Sequence, residues 1–373
     1  MKIAVTGLGA VSGLGWGAGA LFDALCARRS ALVDAPAWGS RGPAAMLPGG
    51  EQRLTSELAL AAAREALEGL ADRAGLAVVG GTTSADMRVA EPAWQALARG
   101  EPPDPERFVW PQLCHLPTQR VAAALGAGGL RLSVSTACTS GACAVGVAAD
   151  LLRTGRASAA LAFGADALCD TTVHGFGSLG LYDPAPCQPM SAGRKGLNLG
   201  EGAGALLLEP LEAALARGAR PLALLGGYGN ACDAYRLTAP DPDGRGAEAA
   251  IRAALGELPP DRVGWVSAHA TGTPLNDETE ALALARLLPR AWVSGLKAAI
   301  GHTLGAAGAL EAVITVLAVA RGRLPPDSGT AESAFPDLRL LPEPLDQPVE
   351  AALSVNFAFG GHDTALLVLP WVP

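Results

Sequence analysis

Short apolar runs alternate with amphipathic stretches along most of the chain. In the first part of the chain, runs that favour strands are separated by stretches with apolar residues at helical spacing. The predicted strands are Lys2–Thr6, Ala77–Gly80, Arg131–Ser135, Ala159–Phe163 and Gly204–Leu208, and the predicted helices are Thr55–Leu70, Gln119–Leu125 and Gly141–Thr154. Strands that alternate with helices predict a layered α/β fold rather than a helical bundle or a β-sandwich.

The second part of the chain repeats this order of elements. Its predicted strands are Pro221–Leu225, Trp265–Ser267, Trp292–Ser294, Ala351–Val355 and Thr364–Leu369, and its predicted helices are Arg245–Leu255, Asn276–Leu288 and Ala306–Arg321. Stretches rich in proline and glycine at residues 35–50, 100–111 and 239–246 predict surface loops. We therefore predict two similar halves, residues 1–212 and 213–373.

Composition agrees with a compact enzyme. Half of the 373 residues are apolar and only 17% are charged, so the chain can bury a large core. The longest apolar stretches, such as Ala312–Ala320, are expected to be too short to cross a bilayer, and Met1 leads directly into a strand rather than a signal peptide. We expect a cytoplasmic protein that does not bind a membrane.

The cysteines and the net charge narrow the function further. None of the seven cysteines has CxxC spacing and their number is odd, which indicates reduced thiols rather than a disulfide framework or a metal site. The net charge of −8 disfavours general binding to nucleic acid. A local basic patch for an acidic protein partner stays compatible with that charge.

One cysteine stands where a predicted strand meets a predicted helix. Cys138 lies in the segment Ser135–Gly141, which reads STACTSG. Unpaired backbone N–H groups at the start of a helix favour the thiolate, which is the reactive form of cysteine. The segment is thus typical of a nucleophile elbow. The residues alone leave a second interpretation open, because free cysteines are often buried and small-residue turns often join strands to helices.

Two histidines stand in separate turns rich in glycine. His269 lies in the segment Ser267–Pro274 (SAHATGTP), and His302 lies in the segment Lys297–Gly305 (KAAIGHTLG). With Cys138 they form a Cys-His-His set. His269 taken alone is also compatible with a structural role in a loop.

Further motifs occur in order along the chain, namely VTGLGAVS at residues 5–12, GEGAG at 200–204 and FAFGG at 357–361. Together with the Cys-His-His set, these segments resemble the β-ketoacyl-acyl carrier protein synthases, the condensing enzymes of fatty acid and polyketide synthesis. The resemblance spans the chain. It implies the thiolase fold, an α/β fold in which two similar αβαβα halves form a five-layered core.

The resemblance also implies a reaction. It is the decarboxylative Claisen condensation of a cysteine-bound acyl chain with malonyl-acyl carrier protein, which gives 3-oxoacyl-acyl carrier protein. Cys138 would carry the acyl group. His269 and His302 would donate hydrogen bonds to the enolate that forms when the malonyl thioester loses carbon dioxide. No cofactor is implied for the synthase itself, because phosphopantetheine arrives on the carrier protein.

Other residues match the family's site. The backbone N–H groups of Cys138 and Phe359 would form the oxyanion hole, and Phe359 would also be the gate to the acyl site, with Phe357 packed beneath it. Thr271 and Thr273 would bind the phosphopantetheine arm through two hydroxyls on one side of an extended segment.

Four further candidates carry open alternatives. Lys297 and Glu311 stand at the family's spacing from His302 and would form a buried pair that orders the loop, or else a surface salt bridge worth about 0–1 kcal/mol. Phe176, together with Leu179, lies in a segment that resembles one lining the acyl pocket. An ordinary place in the core is an equal alternative for both.

The chain departs from the family pattern at several positions. Ala270 and Ala358 replace usual glycines, and His362 and Asp363 replace the common Thr-Asn. The segment Cys187–Glu201 is closer to the ketosynthases of aryl polyene and related pigment clusters than to housekeeping enzymes. Fatty acid synthesis and specialised aryl polyene or polyketide synthesis therefore both stay open.

Two other classes share the fold. A non-catalytic chain-length subunit usually lacks the cysteine that is present here at Cys138. A coenzyme A-dependent thiolase-fold acyltransferase normally has a second cysteine near its C-terminus, and no cysteine follows Cys232. The resemblance favours an elongating synthase whose partners are an acyl carrier protein and either a second copy of itself or a related chain-length subunit.

Overall fold

The computed structural model describes residues 1–35, 42–50, 52–330 and 332–372. Residues 36–41, in the first half of the predicted loop at 35–50, lie outside the described residues. The elements of the first half are β1 Ile3–Ser12, β2 Gly15–Trp16, α1 Ala18–Cys26, β3 Leu32–Val33, β4 Ala44–Ala45, α2 Thr55–Ala66, β5 Leu76–Gly81, α3 Met87–Ala98, α4 Pro105–Phe108, α5 His115–Leu125, β6 Arg131–Val134, α6 Ser140–Arg153, β7 Ala159–Asp166, α7 Asp170–Ser178, β8 Gly202–Pro210 and α8 Leu211–Ala216.

The second half follows after a short connection. Its elements are β9 Ala223–Cys232, α9 Arg245–Leu255, β10 Val263–Ala268, α10 Pro274–Leu287, β11 Trp292–Gly295, α11 Lys297–Ile300, α12 Ala307–Arg321, β12 Arg323–Leu324, β13 Arg339–Leu340, β14 Leu345–Asp346, β15 Ala351–Ala358 and β16 His362–Pro370. The predicted division at residue 212 falls inside α8 and stays a prediction.

Both halves have the same strand order. The first runs β1-β8-β7-β5-β6 and the second runs β9-β16-β15-β10-β11, with β13 added at the outer edge. In each half the first two pairings are antiparallel and the next two are parallel. The halves join where β1 pairs with β9, with Ile3 opposite Leu225. The predicted duplication is confirmed at the level of topology.

The helices complete five layers. Helices α6 and α12 pack on each other between the two half-sheets and contribute to the largest buried apolar cluster. Helices α2 and α5 cover the outer face of the first half, and α9 and α10 cover the outer face of the second. This is the α/β fold that the resemblance implies.

In each half, two glycines on the first strand let an outer helix pack closely against that strand. A Cβ atom at Gly7 or Gly9 on β1 would lie 1.9 Å from a carbonyl oxygen of α2. A Cβ atom at Gly227 or Gly229 on β9 would lie 1.9 or 1.8 Å from a carbonyl oxygen of α9. Helix and strand can approach this closely only where the side chain is absent. The two halves thus share a packing device as well as a strand order.

Several elements differ from the predicted ones. Strand β1 continues to Ser12 instead of ending at Thr6, because its small residues go on pairing with β8. Helices α3 and α7 are not predicted by the pattern, since one contains Pro92 and the other contains two glycines. The predicted loop at residues 100–111 contains the short helix α4 and the start of a 3-10 turn.

One apolar stretch is longer than the sequence pattern indicates. The segment Leu304–Arg321, which includes α12, has 18 residues and a mean hydropathy of 1.7, enough in length and composition for a membrane span. The expectation that all apolar stretches are too short is therefore wrong. Since 89% of the segment is buried inside the protein, α12 is placed as a core helix.

Candidate active site

Cys138 lies in a tight turn between β6 and α6. Ala137, just before it, has a left-handed backbone with φ of 51°. The Ser140 hydroxyl holds the turn, because it donates to the Ala137 carbonyl at 2.6 Å and accepts from the Thr136 N–H at 2.9 Å. Cys138 is 6% exposed. The local structure is the strand-turn-helix elbow that the sequence predicts.

The turn that carries His302 packs directly against the start of α6. A Cβ atom at Gly141 would lie 2.8 Å from the Gly305 carbonyl oxygen, so glycine permits this contact. The His302 N–H donates to the Asn198 carbonyl at 2.7 Å, which fixes the backbone of the turn. His302 Nε2 consequently lies 3.0 Å from Cys138 Sγ, within hydrogen-bond distance for a sulfur atom.

His269 follows the end of β10 and faces the same space. Its ring centroid lies 5.3 Å from that of His302, and the two rings are nearly perpendicular at 88°. Lys297 Nζ donates to His269 Nδ1 at 3.3 Å. With Nδ1 acting as acceptor, the ring proton is assigned to Nε2.

Lys297 and Glu311 form a buried pair, each with a side chain 1% exposed and with Nζ 2.6 Å from Oε1. Asn356 of β15 donates to the other carboxylate oxygen of Glu311. The open alternative of a surface salt bridge is excluded. The pair lies next to His269 as well as at the start of the His302 turn, so it joins both histidines.

Both histidines are neutral at neutral pH. Burial lowers the pKa of His269 well below its usual value, and the charge of Lys297 and the nearby His302 ring lower it further. Burial and Lys297 act in the same direction on the pKa of His302. His302 Nδ1 is buried and has no hydrogen-bond partner among the described residues, so its ring can carry the proton on either nitrogen.

The expected thiolate at Cys138 is not the resting form. Burial raises the pKa of Cys138 to about 12, because it outweighs the opposing effect of Lys297. The helix start, which the sequence indicates, favours the thiolate. Burial, which the sequence does not show, favours the thiol and has the larger effect on the pKa. Attack by this thiol would require loss of its proton, and His302 Nε2 lies within hydrogen-bond distance of the sulfur.

Cys138 and both histidines line a cavity of about 220 Å³. The other predicted site residues in its wall are Phe176, Thr271, Thr273, Phe357 and Phe359. The hydroxyl oxygens of the two threonines lie 2.8 Å apart, so both are on the same side of their segment.

Two phenylalanines stand next to each other at the nucleophile. Phe359, at the tip of the β15–β16 hairpin, stacks on Phe176 of α7 with a centroid distance of 5.7 Å. Phe176 also meets the His302 ring edge-to-face at 6.5 Å. Phe176 is half-buried and also packs against a small buried apolar cluster, so it lines the cavity and belongs to the core as well. Leu179, by contrast, is 50% exposed and lies outside this cavity wall.

Two buried carboxylates of the site were missed by the sequence reasoning. Asp166, at the end of β7, is fully buried and accepts hydrogen bonds from Thr82, Ser84 and the N–H of Gly305. It thereby ties the turn after His302 to the sheet. The sequence feature that could have revealed Asp166 is a carboxylate at the end of an apolar strand, at the same edge of the sheet as Cys138.

Glu280 is the other carboxylate, and it holds the backbone at His269. It accepts the N–H groups of His269 and Ala270 at 2.6 and 2.7 Å. Burial raises the pKa of Glu280 to about 8. An acid at the spacing of Leu284 and Leu287, on the apolar face of α10, is the signal that could have found it.

The fold and this cavity define a thiolase-fold protein with a Cys-His-His centre. Comparison with family models places residues 54–214 in the N-terminal domain and residues 222–330 in the C-terminal domain of β-ketoacyl synthase. The chain belongs to the β-ketoacyl synthase family. Among curated relatives, 3-oxoacyl-[acyl-carrier-protein] synthase 2 of Synechocystis sp. is 37% identical over 313 residues, which cover 79% of this chain and 74% of that protein.

Solved structures share the whole architecture. The ishigamide ketosynthase/chain length factor matches with a TM-score of 0.92 and 31% identity over 100% of this chain and 99% of that one. A type II PKS acyl-carrier protein in complex with its ketosynthase matches with a TM-score of 0.90 and 26% identity over 99% of both chains.

Proposed function

We propose that this chain is an elongating ketosynthase that joins a Cys138-bound acyl chain to malonyl-acyl carrier protein. One observation carries the proposal, namely that Cys138 Sγ lies 3.0 Å from His302 Nε2 at the wall of a cavity that His269 also lines. A nucleophile, a base and a second neutral donor are the groups that acyl transfer followed by decarboxylation requires.

Acyl transfer comes first. Cys138 Sγ attacks the carbonyl carbon of an acyl thioester while His302 Nε2 takes its proton, and the N–H groups of Cys138 and Phe359 stabilise the oxyanion. The new C–S bond forms to Cys138, and the old C–S bond to the carrier's phosphopantetheine breaks. The proton passes to the departing thiolate, so His302 is neutral again.

Decarboxylation follows once a malonyl thioester enters. The malonyl C–C bond breaks, carbon dioxide leaves, and negative charge moves onto the thioester oxygen. Nε2–H groups of His269 and His302 stabilise this enolate. The Lys297 contact at His269 Nδ1 keeps the proton of that ring on Nε2. In His302 the ring proton moves to Nε2 from Nδ1, which has no partner among the described residues. The enolate carbon then attacks the carbonyl carbon of the Cys138 thioester, a C–C bond forms, and the C–S bond to Cys138 breaks. The Cys138 thiolate takes up one proton from water.

The partners follow from the same proposal. Thr271 and Thr273 bind the phosphopantetheine arm of an acyl carrier protein, and a second copy or a related chain-length subunit completes a dimer. Of the two solved structures described above, one is a ketosynthase/chain length factor and the other is an acyl-carrier protein in complex with its ketosynthase. The free form of all seven cysteines supports a cytoplasmic location. A non-catalytic subunit is disfavoured, because Cys138 and its histidine contact are both present.

The test is a condensation assay with acyl-acyl carrier proteins of several chain lengths and malonyl-acyl carrier protein. We expect 3-oxoacyl product and carbon dioxide in equal amounts, with product formation lost in Cys138→Ala. Absence of product with the wild-type chain, both alone and with a chain-length subunit, would refute the proposal.

A further inference from the structure

His362 connects the hairpin that carries Phe359 to the turn that carries Cys138. It is the first residue of β16, three positions after Phe359. Its Nδ1 lies 2.9 Å from Thr139 Oγ1 and 3.8 Å from Cys143 Sγ, so the ring faces the first turn of α6. Thr139 directly follows Cys138 in the chain. The predicted gate and the predicted nucleophile are thereby in contact through one side chain.

The directions of these hydrogen bonds can be assigned. The Thr139 hydroxyl donates to the Thr136 carbonyl at 2.7 Å, and a hydroxyl has one proton to donate. Thr136 Oγ1 also lies 3.0 Å from Thr139 Oγ1. With its proton on the Thr136 carbonyl, the shortest of these contacts, Thr139 Oγ1 accepts at its contact with His362, which assigns a proton to Nδ1 of that ring. The resulting chain runs from the His362 N–H through Thr139 to the carbonyl of Thr136. It spans the turn from one side of Cys138 to the other.

The turn needs support, because Ala137 adopts φ of 51° without being glycine. Such a conformation persists only where the surroundings hold it. Ser140 holds the turn from within the helix, through its bonds to Ala137 and Thr136. His362 supplies the hold from outside the helix, through Thr139.

A second contact makes this connection a small polar cluster. The hydroxyls of Thr136 and Thr364 each lie 3.4 Å from Cys143 Sγ, one helical turn after Thr139. Burial alone would raise the pKa of Cys143, but hydrogen bonds from His362, Thr136 and Thr364 outweigh it and lower the pKa to about 7. Polar atoms of the hairpin and of α6 therefore have hydrogen-bond partners in a buried interface. A buried polar atom without a partner would destabilise the fold.

We propose that His362 is a positioning residue that couples the gate hairpin to the nucleophile turn, so that movement of Phe359 and orientation of Cys138 depend on each other. The proposal rests on the proposed function, which assigns Cys138 as the acyl acceptor and Phe359 as the gate. It concerns a residue at which this chain departs from the Thr-Asn pattern of the family it resembles.

The first test compares His362→Leu, which removes the donor, with His362→Asn, whose amide N–H can take the place of Nδ1–H. His115→Leu, at an exposed histidine on α5, is the matched control. We expect His362→Leu to lower kcat for acylation of Cys138 about 10- to 100-fold with KM changed less than about threefold, since the nucleophile is misplaced rather than the substrate lost. His362→Asn should stay within about threefold of wild type.

A second readout does not depend on the reaction. This readout is the rate at which iodoacetamide alkylates Cys138, with fragment masses used to distinguish Cys138 from Cys143. The rate should change in His362→Leu and return to the wild-type value in His362→Asn. If the wild-type chain is alkylated but accepts no acyl group, the proposed function fails, and the alkylation series still decides the role of His362.

Thr139→Val removes the hydroxyl that contacts His362 and, together with His362→Leu, gives a double-mutant cycle. If His362→Leu does not fold, Thr139→Val by itself tests the contact. If both residues act through their shared hydrogen bond, the double variant is no slower than the slower single variant. Three results would overturn the proposal. The first is acylation and alkylation at the wild-type rate in His362→Leu, and the second is failure of His362→Asn to restore those rates. The third is fully additive effects in the double variant.

Discussion

At the scale of single residues, Lys297 is the group on which the site depends most. Its ammonium contacts Glu311 and His269 in a region where it is 1% exposed, and its charge lowers the pKa of both histidines. Two buried charges lose hydration that their attraction only partly restores. The presence of the Lys297–Glu311 pair is thus better explained by its effect on the pKa of the two histidines than by a contribution to the stability of the fold.

Loss of one member of this pair should be costly. In Lys297→Met, Glu311 stays buried without its cation, so we expect the free energy of unfolding to fall by about 3–5 kcal/mol. Urea unfolding measures this change. The double variant Lys297→Met/Glu311→Gln should recover part of the loss, because it removes the unpaired charge. A loss below about 1 kcal/mol in the single variant would show that the pair is not electrostatically coupled.

The two histidines should act together in decarboxylation. In a Cys138→Ala background, which has no acyl acceptor, carbon dioxide release from malonyl-acyl carrier protein isolates this step. We expect His269→Ala and His302→Ala each to lower the rate about 100-fold or more, because each removes one donor from the enolate oxygen. His115→Ala, at an exposed histidine, is the control. An unchanged rate in either variant would remove that histidine from the step.

At the scale of elements, the β15–β16 hairpin is attached on both faces. His362 contacts α6, and the next residue, Asp363, points to the opposite face as strand geometry requires. There a carboxylate oxygen of Asp363 and one of Asp233 both lie within 2.3 Å of the position that a Cβ atom on Gly246 would take. A neighbouring carboxylate disfavours the charged form of a carboxyl group, so Asp233 favours protonation of Asp363.

Asp363 should make stability depend on pH. Burial and the charge of Asp233 raise its pKa to about 8 from 3.8 in the unfolded chain. The folded state therefore binds the proton more tightly, and the stability that this adds at low pH is lost as pH rises through about 8. We expect Asp363→Asn to flatten the decline in the urea midpoint between pH 5 and 9. Asp261→Asn, at an exposed carboxylate, should leave the decline as in wild type.

The contact between β9 and α9 should not tolerate a methyl group. In Gly229→Ala the new Cβ would lie 1.8 Å from the Ala250 carbonyl oxygen, so helix and strand must separate. Overpacking of this kind costs about 1–3 kcal/mol or more. Gly69→Ala, with open space around its Cβ position, is the matched control. Equal unfolding free energies for the two variants would contradict the packing argument.

At the scale of the whole molecule, the sequence predicts much of the fold because hydrophobic periodicity marks the buried strands and helices. It does not predict α3, which contains Pro92, because proline is a strong signal against a helix. The Cys-His-His set is found from short motifs. Asp166 and the raised pKa of Cys138 are not, since both depend on burial by segments far away in the chain.

The same limit applies to His362. As a residue in a strand it carries no local signal, and only the folded hairpin brings its ring to Thr139, 223 positions earlier in the chain. Positions where the sequence departs from its family are thus best judged after the long-range contacts are known.

The central claim is that Cys138 accepts an acyl group from an acyl carrier protein. The most direct measurement is the intact mass of the protein after incubation with an acyl-acyl carrier protein, followed by peptide mapping of the adduct. We expect a mass increase of one acyl group on the peptide with Cys138, sensitive to hydroxylamine and absent in Cys138→Ala. An unmodified wild-type protein at every chain length, or an adduct that persists in Cys138→Ala, would contradict it.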